Sequence, residues 1–190
     1  RKDGAAIYLL GDLFDFWFEY KTVVPKGFVR VLGKLAELSD AGIPITFFVG
    51  NHDLWMRDYF QRELDITVYH QPITLTVGKT RFFIGHGDGL GPGDKGYKRM
   101  KNFFTNPLSR WLFRWLHPDW GVQLGQYLSK KNKLISGEED AKFMGEDKEW
   151  LVAYSKRKLQ NEHFDYFIFG HRHLPLEIPL GENSQYINLG

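Results

Sequence analysis

The 190-residue chain contains no cysteine. That excludes disulfides and thiolate ligation, so any metal centre must use nitrogen and oxygen donors. Long apolar runs are missing too, and none approaches the roughly 20 residues that a spanning helix needs. No signal-type segment is visible, and no Ser-centred nucleophile elbow is present. Neither sign of charge dominates: 25 Lys plus Arg face 23 Asp plus Glu, for a formal net charge of +2. That balance gives no reason to expect a nucleic-acid partner. What is present is ordinary for a water-soluble domain, with 43% hydrophobic and 25% charged residues and enough length for one substantial core. The expected location is the cytoplasm. The chain opens at Arg1-Lys2-Asp3-Gly4, without methionine, and reaches a central-type strand almost at once, so a preceding segment is expected.

Four short segments carry most of the chemistry. They are Gly11-Asp12-Leu13-Phe14-Asp15, Gly50-Asn51-His52-Asp53, Gly85-His86-Gly87-Asp88 and Gly170-His171-Arg172-His173. Each ends a short apolar run: Ile7–Leu10, Ile45–Val49, Arg81–Ile84 and Tyr166–Phe169. Such runs, rich in β-branched and aromatic residues, predict buried strands. The glycine after each permits a tight turn that presents the next side chain at the strand's carboxyl end, the edge where α/β sheets bind ligands.

The rest of the chain predicts alternating elements. Pro25 to Ala41 reads as a helix with Phe28, Leu32 and Leu35 on one face, and a short helix is expected around Leu54–Leu64. Ile66–Tyr69, Ile73–Val77 and Thr80–Ile84 read as strands, as do Leu176–Pro179 and Tyr186–Leu189. Tyr97 to His163 is a long helical block. No repeat or linker appears, so residues 1–190 are read as a single domain with a helical cap inserted at about 97–135. Within the cap, Phe104, Leu108, Trp111, Leu112, Trp115 and Leu116 follow amphipathic spacing. Two readings stay open: the stripe packs as core, or it offers an apolar surface to lipid beside basic residues. On the second reading Lys98, Arg110, Arg114, His117, Trp111 and Trp115 are candidate substrate contacts.

Aspartate, asparagine and imidazole together suit Mn²⁺, Fe or Zn²⁺ better than Ca²⁺, which prefers all-oxygen shells. Asp12 is the natural bridge between two ions. His171 and His173, two residues apart, project to one side if the backbone is extended. Each of these residues has an ordinary alternative, Asp12 as a turn former and His86 as a buried neutral histidine; their combination favours metal. His52 suits a general acid or transition-state stabiliser, with Asp15 expected to orient it. Its alternative is to position Asn51.

These motifs, in this order, resemble the calcineurin-like metallophosphoesterases. The resemblance implies a four-layer αββα fold, a β-sandwich flanked by helices, with two divalent ions at the strand ends. It implies Asp12 bridging both metals, with Asn51, His86 and His171 on one and His173 on the other. His52 falls beside the transferring phosphoryl group or the leaving group. The helical insertion and Leu176–Gly190 more narrowly resemble the UDP-2,3-diacylglucosamine diphosphatases of lipid A synthesis. That implies an acylated sugar-nucleotide substrate, cleaved to UMP and an acylated sugar phosphate, and peripheral contact with the inner membrane of a Gram-negative cell. A soluble nucleotide ester as substrate, or a binding scaffold with a decayed metal centre, are the alternatives.

Two departures from the family pattern stand out. No Asp-x-His precedes Asp12, so the family's first strand is expected to be missing and a site with only Asp12 and His173 would hold metal weakly. The best-known diphosphatase branch has Arg where this chain has His52, which is the general superfamily residue.

Overall fold

The computed structural model describes residues 5–91, 95–140, 142–143 and 145–190, with side chains described outside 132–140. The opening Arg1–Gly4 lies outside the described residues. Strands β1 (Ile7–Leu9), β2 (Ile45–Phe48) and β3 (Thr67–Tyr69) form a parallel sheet. A second sheet has the order β4-β5-β6-β8-β7. Within it, β4 (Ile73–Val77) and β5 (Thr80–Ile84) make an antiparallel hairpin. Strands β5, β6 (Tyr166–Phe169) and β8 (Gln185–Asn188) run parallel, and β7 (Leu176–Pro179) returns antiparallel at the edge.

The period of two along each strand builds the layers. Ile45 and Phe47 of β2 face a core shared with α1 (Val29–Asp40) and α2 (Tyr59–Leu64), while Phe48 faces the other sheet with Leu10 and Ile84. In β6, Phe167 and Phe169 pack on Leu151 and Val152 of α6 (Trp150–Leu159), and Ile168 turns to the inter-sheet layer. The result is helix, sheet, sheet, helix, the four-layer α/β arrangement that the motifs implied. Phe47 and Phe167 are fully buried. Replacing either by Ala is a change that typically costs about 3–5 kcal/mol.

Some boundaries differ from the sequence reading. The first helix begins at Val29 rather than Pro25, because Gly27 adopts φ +103° and breaks the turn. The second begins at Tyr59 rather than near Leu54, because Trp55 forms a parallel bridge with Phe18. The long helical block divides into α3 (Lys95–Thr105), α4 (Pro107–Arg114), α5 (Pro118–Asp140), a 3₁₀ turn (Glu146–Lys148) and α6. Asn106 caps α4 by accepting from the Leu108 N–H at 2.9 Å, and Pro107 and Pro118 open their helices.

That division reverses part of the expected cap surface. Phe113 turns inward against Phe16, Phe18 and Trp55, and Phe104 packs on Trp55. Leu108, Trp111, Leu112 and Trp115 stay exposed, Trp115 at 75%. The stripe is therefore surface apart from Phe104, and the reading of it as core is overturned.

Candidate metal centre

The site lies where the Gly-led loops leave β1, β2, β5 and β6. After β1 the chain turns through Gly11 at φ +86° and Asp12 at φ +52°. Gly11 is required there, since a Cβ would come within 2.6 Å of the His86 ring and 2.8 Å of the Gly50 backbone. A left-handed aspartate is uncommon, and such conformations cluster at functional sites. The segment that follows is anchored by burial: Phe14 and Trp17 enter the first-sheet core, while Phe16 and Phe18 pack on Trp55 and Phe113.

Among the described residues, one group converges on a point that suits a metal: Asp12, His86 and His171, with ligand atoms all within 4.8 Å of one another. The buried His86 explains how. Its Nδ1 lies 2.7 Å from the Leu10 carbonyl, which only accepts, so Nδ1 carries the proton and neutral His86 presents the Nε2 lone pair. That nitrogen faces Asn51 Oδ1 at 3.1 Å, His171 Nδ1 at 3.1 Å and Asp12 Oδ2 at 3.3 Å. With the His171 tautomer that leaves Nδ1 unprotonated, these atoms present lone pairs to one point, where a cation would be held. Two imidazoles, a carboxylate and an amide oxygen form a donor set suited to a divalent transition ion. The other carboxylate oxygen of Asp12 accepts from the His52 backbone N–H at 2.9 Å.

Buried carboxylates hold these loops in place. Asp53 accepts from the Gly50 N–H at 2.5 Å and the Leu13 N–H at 3.2 Å, tying the first two loops together. Burial and then the neighbouring Asp12 charge push its carboxyl well above the usual range, against the pull of those two bonds. Asp88 accepts from Tyr97 Oη at 2.5 Å and Lys101 Nζ at 2.6 Å, joining the third loop to α3. Burial opposes its ionisation, but the Lys101 ammonium and the hydrogen bonds from Lys101 and Tyr97 hold its carboxyl below the usual range. Neither role was read from the sequence. The acidic residues after His52 and Gly87 were the only signal.

The other expected residues are placed differently. His173 is exposed and stands outside the converging group. His52 is at the site, but its Nδ1 meets the main-chain carbonyl of Asp15 at 3.2 Å, not the carboxylate, and Asp15 itself is exposed. A further partner that sequence reasoning missed is Ser129 of α5, whose Oγ lies 2.6 Å from His52 Nδ1.

Beside the site, a cavity of about 330 Å³ opens between core and cap. Asn51 and His52 form one end, and Phe16, Trp55, Phe104 and Leu128 supply apolar walls. None of Lys98, Arg110, Arg114, His117, Trp111 and Trp115 lines it. Lys98 donates to the Gly91 carbonyl at 2.8 Å. Arg110 and Arg114 are half-buried on the inner side of α4, where burial and the nearby Arg57 lower the Arg110 pKa. His117, Trp111 and Trp115 face outward. The physical reason is the break at Asn106-Pro107, which rotates α4 so that Phe113, not the tryptophans, meets the core.

Residues 1–175 match the calcineurin-like phosphoesterase family. The chain belongs to that family. It is accordingly a phosphoester-cleaving hydrolase, and its converging Asp12, His86 and His171 fit the divalent metal ions on which these enzymes depend. The chain is 40% identical to the UDP-2,3-diacylglucosamine hydrolase of Porphyromonas gingivalis, over all of this chain and 77% of that protein. It is 31% identical to the protein of the same name from Edwardsiella ictaluri, over 90% of this chain and 64% of that protein. The Vibrio parahaemolyticus protein of that name is 29% identical, over 92% of this chain and 70% of its own length.

Proposed function

We propose that this phosphoesterase hydrolyses the pyrophosphate of UDP-2,3-diacylglucosamine, releasing UMP and an acylated glucosamine 1-phosphate. The observation that carries the substrate assignment is the cavity. Its wall is apolar along Phe16, Leu54, Trp55, Met100, Phe104 and Leu128, and it ends at Asn51 and His52. An acyl chain along that wall leaves the diphosphate at the metal-binding end, and apolar contact there stabilises binding by roughly 25 cal/mol per Å² buried. The names of the relatives support the same substrate.

Asp12, Asn51, His86 and His171 would hold one divalent ion, and Asp12 with His173 would contribute to a second; manganese is the metal we favour. When bound, such ions supply Lewis acidity and an acidified water. The chain's own groups do the rest. Leu10 fixes the His86 tautomer through its carbonyl, and the His52 N–H holds the Asp12 carboxylate in place. His52, as imidazolium, stabilises negative charge on the phosphoryl or leaving oxygen. The exposed apolar face of α4 and α5, with Trp111, Trp115 and Trp120, supports peripheral contact with membrane lipid.

Metal analysis and turnover of acylated against unacylated UDP-sugar test this reading. Manganese-dependent turnover is expected, with a strong preference for the acylated substrate. Equal turnover of both would point instead to a soluble nucleotide substrate, and no turnover of either to a scaffold.

A further inference from the structure

Helix α5 carries small residues at every fourth position, Gly121, Gly125 and Ser129, and positions four apart share a helix face. A Cβ on Gly121 would collide with the Tyr20 hydroxyl, and one on Gly125 with the Phe16 ring. The helix backbone is therefore seated directly on the segment that follows Asp12. The third small residue of that face reaches His52, with Ser129 Oγ 2.6 Å from Nδ1. The same nitrogen lies 3.2 Å from the Asp15 carbonyl. A carbonyl only accepts, so Nδ1 carries the proton and shares it between that carbonyl and the serine oxygen. The ring is thus fixed through Nδ1, and Nε2 is the atom left to meet a phosphoryl oxygen.

We infer that Ser129 is a positioning residue for His52, and that the orientation of His52 is set by the seating of α5. The inference rests on the role given to His52 above. It also joins recognition to chemistry. Gly125, Leu128, Ser129 and Lys131 of α5 line the apolar cavity opposite Phe16 and Trp55. An apolar group that fills the cavity bridges α5 to the core, and the same contact holds the serine against the imidazole. Binding an acylated substrate then raises kcat as well as lowering KM, since part of the binding energy is realised in orienting the catalytic group.

The test compares Ser129→Ala, Ser129→Thr, His52→Ala and the Ser129→Ala/His52→Ala double variant in the full chain. Metal content is measured alongside kcat on aryl phosphodiesters of graded leaving-group pKa. Ser129→Ala is expected to keep its metal and lose about 10-fold in kcat, the lower end for an outer partner of a site residue. Ser129→Thr, which keeps the hydroxyl, restores most of it. In the His52→Ala background, Ser129→Ala causes no further loss. An undiminished loss in that background would show that Ser129 acts only through packing of α5, and normal kcat in Ser129→Ala beside an impaired His52→Ala would also overturn the inference. A fully active His52→Ala would remove the role of His52 first, and the positioning role with it. Imidazole ¹⁵N shifts of His52 give a readout independent of turnover: Ser129→Ala should move the Nδ1 shift, because that nitrogen loses its 2.6 Å hydroxyl partner. Shifts unchanged from wild type would overturn the proposal whatever the kinetics.

Discussion

Asp12 sits in a left-handed backbone with one carboxylate oxygen held by the His52 N–H and the other turned to His86. The geometry leaves no slack for substitution. Asp12→Ala and His86→Ala are each expected to abolish activity and to release metal, measurable by elemental analysis after gel filtration. Full metal content in His86→Ala would remove it from the ligand set. His52 belongs to a different class: its backbone N–H donates to Asp12, while its ring meets the Asp15 carbonyl and Ser129. His52→Ala should keep metal and lose roughly 10²–10⁴-fold in kcat, the usual range for one acid–base or electrostatic group. The loss should shrink for good leaving groups such as a pyrophosphate. Equal losses across a leaving-group series would mean that His52 serves only to position Asn51.

The loop after β6 shows how an element fixes a candidate ligand. Buried Asn188 on β8 donates to the Arg172 carbonyl at 2.5 Å and the Leu174 carbonyl at 2.9 Å, and accepts from the Arg172 N–H at 3.3 Å. Arg172 in turn donates to the buried Glu149 at 3.1 Å, just before α6. Asn188→Ala strands buried backbone groups that cost about 1–3 kcal/mol unpaired. We expect a lower unfolding temperature and a metal affinity reduced roughly 10–100-fold through misplacement of His171. Thermal unfolding with and without added manganese checks both, and unchanged affinity would confine Asn188 to stability. Strands such as β4, β5, β6 and β7 were legible to the residue, because period-two apolar patterning between turn signals is a local property. Helix starts at Val29 and Tyr59 were not. They depend on the φ of Gly27 and on a bridge between Phe18 and Trp55, a contact across 37 positions of sequence.

At the scale of the molecule, the cap turns an apolar face to solvent: Trp111, Trp115 and Trp120 are 53%, 75% and 70% exposed. A contiguous exposed apolar face is a common sign of an interaction surface, and the membrane contact proposed above would use this one. Among the described residues no helix is long and apolar enough to cross a membrane. Replacing these tryptophans by Ser is expected to reduce sedimentation with anionic phospholipid vesicles and to raise KM for the acylated substrate, while sparing a small soluble diester. Because the side chains are exposed, folding should be unaffected. Loss of turnover on both substrates would show that the face supports the fold instead.

The sequence alone determined which residues are candidates for metal binding and the order in which they occur, because a Gly-led turn after an apolar strand is a local signal. The layered sandwich followed from the family resemblance those motifs carry; local periodicity by itself assigned strands, not the sheets they join. Only the tertiary structure decided which donors converge. Asp12, Asn51, His86 and His171 come from four different strand ends, whereas His173, two residues from His171, is left exposed. It likewise decided that Ser129, not the Asp15 carboxylate, holds the His52 ring, and that the tryptophans of α4 face outward. Those outcomes depend on how the cap helices break at Asn106-Pro107 and seat on Phe16, contacts between segments far apart in the chain that no local pattern encodes.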